Sequence, residues 1–339
     1  MAGNARAGHG LTISLRQLAT LIAAIAVACG SPDRERSAER DVAVQVPLRN
    51  LSDKGPELRR GAIAISPFGH IAFTGGFHQG GELITIVDSS GRLIARVGRE
   101  GHGPGELQGA YYLFFQDSTL TAADVFQGRL VQYSVDGAYL RTINLGSLMI
   151  PTGHVDDSVD LADHNRATGP RVIRRSLDNA DGFRTLISQG DTLFQRLIDR
   201  SRRNPTALRE LIGSTVDGAL LGDGLTYALF EYTPHGVEQF GRLLEPLISD
   251  GHPPDTLSYF GLYSSDIDQY GRIWVAGADL VGGYLDVYEG TSLVHRQRVA
   301  CVPNPWYGMS VAGRWMAILC KADDADTVEV KLQMYRLRP

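Results

Sequence analysis

Short extended runs recur along this chain at a fixed spacing, and that recurrence limits the fold more than any other feature. Residues 61–98 contain four runs, GAIAIS, HIAFTG, ELITIVD and LIARVG. Phe68-Gly69, Gln79-Gly80-Gly81 and Ser90-Gly91 separate them. Residues 110–144 repeat the scheme with AYYLFFQ, TLTAAD, RLVQYSV and AYLRTIN. Here the punctuation is Asp117-Ser118, Gln127-Gly128 and Asp136-Gly137. The third turns of the two units, at Gly91 and Gly137, lie 46 residues apart. Runs this short cannot hold an amphipathic helix, and Gly or Asp-Gly between them is hairpin chemistry. Four strands per unit at a period of about 40–50 residues is the pattern of β-propeller blades.

The pattern returns at 262–299 with LYSSDID, GRIWVAG, YLDVYEG and LVHRQRV. After it, GMSVAG, RWMAILCK and VEVKLQMYRL supply only three strands. DVAVQVPL, residues 41–48, is the expected fourth. A strand donated by the N-terminus would close the ring and remove an open sheet edge. Residues 150–255 have room for two irregular blades, and 194–212 (FQRLIDRSRRNPTALRELI) reads as a helical or loop insertion. The expected fold is all-β, a six-bladed β-propeller over 41–339.

Residues 1–28 read as a signal peptide. Arg6 and Arg16 precede an h-region, Leu18–Ala28, apolar but for Thr20 and too short for a permanent span of about 20 residues. Ala26-Val27-Ala28-Cys29 resembles a lipobox, which implies lipidation of Cys29 and export to the cell envelope, on the periplasmic side of the outer membrane or the cell surface. Residues 29–40, polar and without apolar periodicity, read as a flexible tether. The only membrane contact this implies is the lipid.

Of 33 basic and 38 acidic residues, the leader holds Arg6 and Arg16 alone, which leaves 31 against 38 and a net charge of −7. A mildly acidic body repels phosphate backbones, so nucleic acid is not an expected partner.

Val97-Gly98-Arg99-Glu100-Gly101-His102-Gly103-Pro104-Gly105-Glu106-Leu107, with Ala122-Ala123-Asp124 and Arg129–Gly137 after it, resembles an NHL-type repeat. It is similar to bacterial six-bladed β-propeller lipoproteins with a Gly-x-Gly-Pro-Gly-Glu signature. Gly271-Arg272-Ile273-Trp274-Val275 and Tyr335-Arg336-Leu337 carry the same resemblance further along. It implies a ligand- or protein-binding scaffold. In related repeats Asp124 and Arg129 form a buried pair at the second hairpin.

The glycines at 101, 103 and 105 are not a phosphate loop, since a strand follows them and not a helix. Positive φ in a blade crossover, braced by Arg99 and Glu106, is the expectation. Zinc-ligand spacing and a Gly-x-Ser-x-Gly elbow are absent from the sequence. Asp156, Asp157, Asp160 and Asp163 form one acidic loop, and Asp323, Asp324 and Asp326 another; neither has calcium-loop spacing. Arg196, Arg200, Arg202 and Arg203 form a basic run that reads as a solvated face.

Two functions stay open. One is a non-enzymatic binding module whose partner is an envelope protein or a small ligand at the propeller face. The alternative is a calcium-dependent hydrolase or lactonase, for which Asp266 and Asp268, on an expected inner strand, are the weak metal candidates. Binding without catalysis and without a cofactor is the expectation. Cys301 and Cys320 are expected to form a disulfide, being the cysteines left after Cys29 in an oxidising compartment.

Overall fold

The computed structural model describes residues 43–46, 62–74, 82–145, 149–163, 171–178, 182–188, 190–196, 211–223, 228–241, 261–279, 282–299, 308–321 and 330–338. Its strands fall into six small sheets arranged in a ring, a six-bladed β-propeller. β1 (Ala43–Val46) comes first. Blade 1 holds β2 (Ile63–Ile65), β3 (Ile71–Thr74), β4 (Glu82–Val87) and β5 (Leu93–Glu100), plus the two-residue β6 (Glu106–Leu107) parallel to β5. Blade 2 holds β7 (Tyr112–Gln116), β8 (Thr119–Asp124), β9 (Arg129–Ser134) and β10 (Tyr139–Asn144). Blade 3 holds β11 (Ile150–Val155), β12 (Ser158–Asp163), β13 (Arg171–Ser176) and β14 (Phe183–Ile187). Blade 4 holds β15 (Leu211–Ser214), β16 (Ala219–Asp223), β17 (Ala228–Thr233) and β18 (Gly236–Phe240). Blade 5 holds β19 (Gly261–Ile267), β20 (Ile273–Asp279), β21 (Gly282–Glu289) and β22 (Ser292–Arg298). Blade 6 holds β23 (Met309–Ala312), β24 (Trp315–Lys321) and β25 (Val330–Leu337), and β1 completes it.

Six apolar clusters hold the ring, one between each pair of neighbouring blades. Strand alternation makes this possible, because successive side chains point to opposite faces of a blade. On β24, Met316, Ile318 and Cys320 pack toward blade 5, while Ala317 and Leu319 pack toward blade 1. Both faces of a blade are therefore apolar. That is why the central strands read as near-continuous hydrophobic runs and not as strict alternations.

The N-terminal strand closes the ring as the sequence indicates. β1 pairs antiparallel with β25, from Ala43 opposite Leu337 to Val46 opposite Met334. Gln297 of blade 5 locks its start, accepting from the Ala43 N–H and donating to the Ala43 carbonyl, both at 2.8 Å. The middle of the chain supplies the two expected blades. Of the expected insertion at 194–212, residues 192–196 make one helical turn and 211–212 begin β15. Asp191 caps that turn by accepting from the Phe194 N–H (2.8 Å), and Phe194 is wholly buried between blades 3 and 4. Residues 197–210 lie outside the described set.

The signature from Gly101 to Leu107 is a structural staple. Gly105 sits at φ 70°, where a side chain is strained, and Gly101 packs so closely that a Cβ would fall 2.1 Å from Glu106 Oε2. Gly103 keeps an ordinary φ, and its N–H donates to Glu106 (2.9 Å). Arg99 donates to the other Glu106 oxygen at 2.5 Å. Blade 2 grips this loop through two side chains. The Arg129 guanidinium donates to the carbonyls of His102 (3.1 Å) and Glu106 (2.6 Å), and the Tyr133 hydroxyl donates to that of Gly105 (3.0 Å). Asp124, with no solvent exposure, neutralises Arg129 at 3.4 Å.

Candidate functional site

The first strand of every blade faces the axis with one unpaired edge. In ring order these inner strands are β2, β7, β11, β15, β19 and β23, each beside the next and β23 beside β2. Their edge N–H groups need partners, since an unpaired buried amide costs about as much as a lost hydrogen bond. Neighbouring blades supply them with short polar side chains. Met309 N–H donates to Ser264 Oγ (2.8 Å), Val311 N–H to Asp266 Oδ2 (2.7 Å) and Ile65 N–H to Ser310 Oγ (3.1 Å). Between β11 and β15 the approach is closer still. A Cβ on Gly153 would lie 2.2 Å from Ser214 Oγ and 2.5 Å from its backbone nitrogen, so only glycine fits.

Three unlike groups stand on these inner strands: Tyr112 on β7, His154 on β11 and Asp266 on β19. The Tyr112 hydroxyl lies 3.3 Å from His154 Nδ1, one donating and the other accepting. His154 stacks on Phe114, centroids 4.6 Å apart and planes 24° apart. Burial pushes the imidazole down to about 4, so it is neutral at physiological pH. Burial also raises the Tyr112 phenol well above its usual value, helped by the charges of Asp266 and then Asp160. Blades 2 and 5 are opposite in the ring, so the influence of Asp266 on Tyr112 acts across the axis. All three residues keep some solvent contact while burial shifts their protonation, as expected for a channel wall.

Asp266 is raised to about 7. Desolvation is the cause, opposed by donors from Val311 N–H, Ile267 N–H and the Ser310 hydroxyl, and assisted slightly by Asp268. Among the described residues it has no cationic partner. Asp268, two residues on, is placed differently. It closes the β19–β20 turn, where its Oδ1 accepts from the N–H groups of Tyr270 (2.9 Å) and Arg272 (3.0 Å). Its Oδ2 accepts from Arg272 Nε (2.7 Å) and Trp274 Nε1 (2.9 Å). Asp266 and Asp268 thus share a strand end but not a site.

The acidic loop after β11 does not gather its carboxylates either. Asp160 is fully buried and bridged by both ends of Arg174 (2.7 and 2.9 Å), with Ser214 Oγ donating at 2.7 Å. Asp156 sits in the β11–β12 turn at φ 49°. Among the described residues no group of three or more His, Cys, Asp or Glu side chains is placed to hold a metal ion. Arg196 is exposed and donates to the Thr192 carbonyl (3.3 Å). Cys320 is wholly buried in blade 6. Cys29, Cys301, the Asp323–Asp326 segment and the rest of the basic run lie outside the described residues. No helix among the described residues is long and apolar enough to cross a membrane.

Tyr112 and His154 carry no local motif, and sequence reasoning does not single them out. The available signal is positional. Each is a polar residue on the first strand of a four-strand unit, the strand that a propeller turns toward its axis.

No family model matches the chain, and no curated protein matches it significantly in sequence. Its fold is shared with solved structures. A member of the DUF4221 family from Bacteroides vulgatus superposes with a TM-score of 0.51 at 11% identity, over 88% of this chain and 96% of that one. Regucalcin, a calcium-binding protein from Agrobacterium tumefaciens, gives 0.45 at 12% identity over 84% and 94%. Virginiamycin B lyase from Staphylococcus aureus gives 0.43 at 11% identity over 86% and 87%.

Proposed function

We propose that this chain is an exported, lipid-anchored binding module of the bacterial cell envelope, with its ligand seated at the axis of the propeller. One observation carries the reading. Tyr112, His154 and Asp266 stand on the inner strands of three blades, Tyr112 touches His154, and Asp266 has no cationic partner among the described residues while the buried aspartates Asp124, Asp160, Asp268 and Asp286 are each paired with an arginine. Rigid inner strands hold these groups in place, which lowers the ordering cost of binding. The partner is a small ligand or a protruding side chain of another envelope protein. Attachment through lipidated Cys29 would fix position and leave the propeller face free. The pairing of Cys301 with Cys320 belongs to the same reading, supported by export and by the burial of Cys320. Labelled fatty acid should enter the full chain and not Cys29→Ser, and no free thiol should titrate in denaturant.

The calcium hydrolase alternative requires several free carboxylate oxygens, and calcium takes six to eight oxygen ligands. With Asp268 held by four donors, Asp266 is the inner-strand carboxylate left to serve it among the described residues. A panel of small molecules screened by melting temperature tests the binding reading, because ligands of the native state stabilise it. Stabilisation that is lost in Tyr112→Phe or Asp266→Asn is the expected result. Turnover of lactones or esters that depends on these residues would overturn it.

A further inference from the structure

We infer that the axial site takes an organic cation, a primary ammonium or guanidinium group, with Asp266 as its counter-charge and Tyr112 and His154 as the opposing wall. The inference rests on the binding reading above and names the chemistry of its ligand.

The argument starts from how this molecule treats buried carboxylates. Asp124, Asp160, Asp268 and Asp286 have no exposed side-chain surface, and each meets an arginine, namely Arg129, Arg174, Arg272 and Arg296. The rule is physical, since an unpaired buried charge is costly. Asp266, which keeps some solvent contact, has no such partner among the described residues. Its partners are neutral donors, the N–H groups of Ile267 (2.8 Å) and Val311 (2.7 Å) and the Ser310 hydroxyl. These orient the carboxylate without neutralising it. A carboxylate held in place on an enclosed axis without a cation is the complement of a ligand that brings one.

The opposite wall suits the same ligand. Across the ring the charge of Asp266 reaches the Tyr112 phenol, which touches the neutral His154, and the two aspartates nearest these groups are already balanced, Asp268 beside Asp266 by Arg272 and Asp160 near Tyr112 by Arg174. No cation among these groups competes for the charge. An aromatic ring such as that of Tyr112 attracts ammonium and guanidinium through its π face. A hard metal ion fits less well, because it must replace a full shell of water oxygens and Asp266 is the single inner-strand carboxylate among the described residues. An organic ammonium needs only one carboxylate and a few acceptors.

The test uses n-butylammonium, n-butanol and calcium chloride with the full chain. n-Butylammonium should raise the melting temperature, and n-butanol, of similar shape but uncharged, should not. Binding at pH 6 should release a proton, seen as a calorimetric heat that varies with the buffer, because the cation favours ionised Asp266. Asp266→Asn should weaken binding by about tenfold or more, the worth of one charge-assisted hydrogen bond, and abolish the proton release. If that variant does not fold, the unaltered protein labelled with 13C at Asp carboxyls serves instead. One resonance should then move toward its ionised position at pH 6 when n-butylammonium is added. Equal effects of n-butanol and n-butylammonium, lost in Tyr112→Phe, would overturn the cation assignment and leave the binding module standing. Stabilisation by calcium alone, lost in Asp266→Asn, would overturn both.

Discussion

The walls between blades and the axis of the ring handle polar groups in opposite ways. In the walls each buried aspartate described is matched by an arginine. Arg174 reaches from blade 3 to Asp160 and to three backbone carbonyls of the β15–β16 hairpin, those of Thr215, Val216 and Gly218. Arg129 does the same from blade 2 to the loop of blade 1. On the axis Asp266 has neutral donors and, among the described residues, no cation, and His154 has a phenol. Matched groups stiffen and specify a fold, whereas unmatched ones keep their capacity for something else. The difference separates residues that build the ring from residues that the ring holds ready.

If the walls carry stability, the largest loss comes from opening the ring. Removing residues 41–48 leaves blade 6 with three strands and exposes the β25 edge, so the melting temperature should fall by more than about 10 °C, several kcal/mol for a domain of this size. Calorimetry of the truncated chain checks this, and an unchanged transition would show that β1 is dispensable. Arg174→Ala should cost about 3–5 kcal/mol, the usual consequence of stranding a buried carboxylate. Denaturant unfolding reads it, and a loss below about 1 kcal/mol would place this pair with ordinary surface bridges. Gly153→Ala should cost about 1–3 kcal/mol by forcing β11 from β15, as overpacking does.

On the axis the expected effects are smaller and depend on pH. Burial holds His154 at about 4, below its unfolded value of about 6.5. A base with a lowered pKa contributes stability that is present above 6.5 and lost as pH falls toward 4. His154→Gln should therefore flatten the acid side of the stability curve. A variant curve parallel to the parent between pH 6.5 and 4 would place the imidazole in water.

Much of the ring is legible in the sequence, because turn chemistry and strand length are local. Ser90-Gly91 and Asp136-Gly137 mark hairpins in any context, and the three-strand remainder at the C-terminus asks for the strand at 41–48. Blades 3 and 4 are harder to read, since Arg171, Arg174 and Arg175 break the apolar run of β13. The reason lies in another blade, where the β15–β16 hairpin offers Arg174 its carbonyls. The axial group is legible only in part. Asp266 stands out as an acid on an inner strand. Tyr112 and His154 gain meaning only when the ring brings residues 112, 154 and 266 around one axis. Asp268 looks equivalent to Asp266 in sequence and is not, because the β19–β20 turn and the Trp274 indole claim its oxygens.

The central claim, that the axis holds a carboxylate enclosed by protein and left without a cation, is tested most directly by unfolding the parent and Asp266→Asn across pH. Asp266 sits at about 7 in the folded chain against about 3.9 unfolded. An acid with a raised pKa contributes stability that is fully present below about 4 and lost as pH rises through 7. The parent should therefore lose stability relative to Asp266→Asn from pH 4 to 7, with the difference constant above about 8. A difference that is the same at every pH, or one in which the variant weakens as pH rises, would contradict the account.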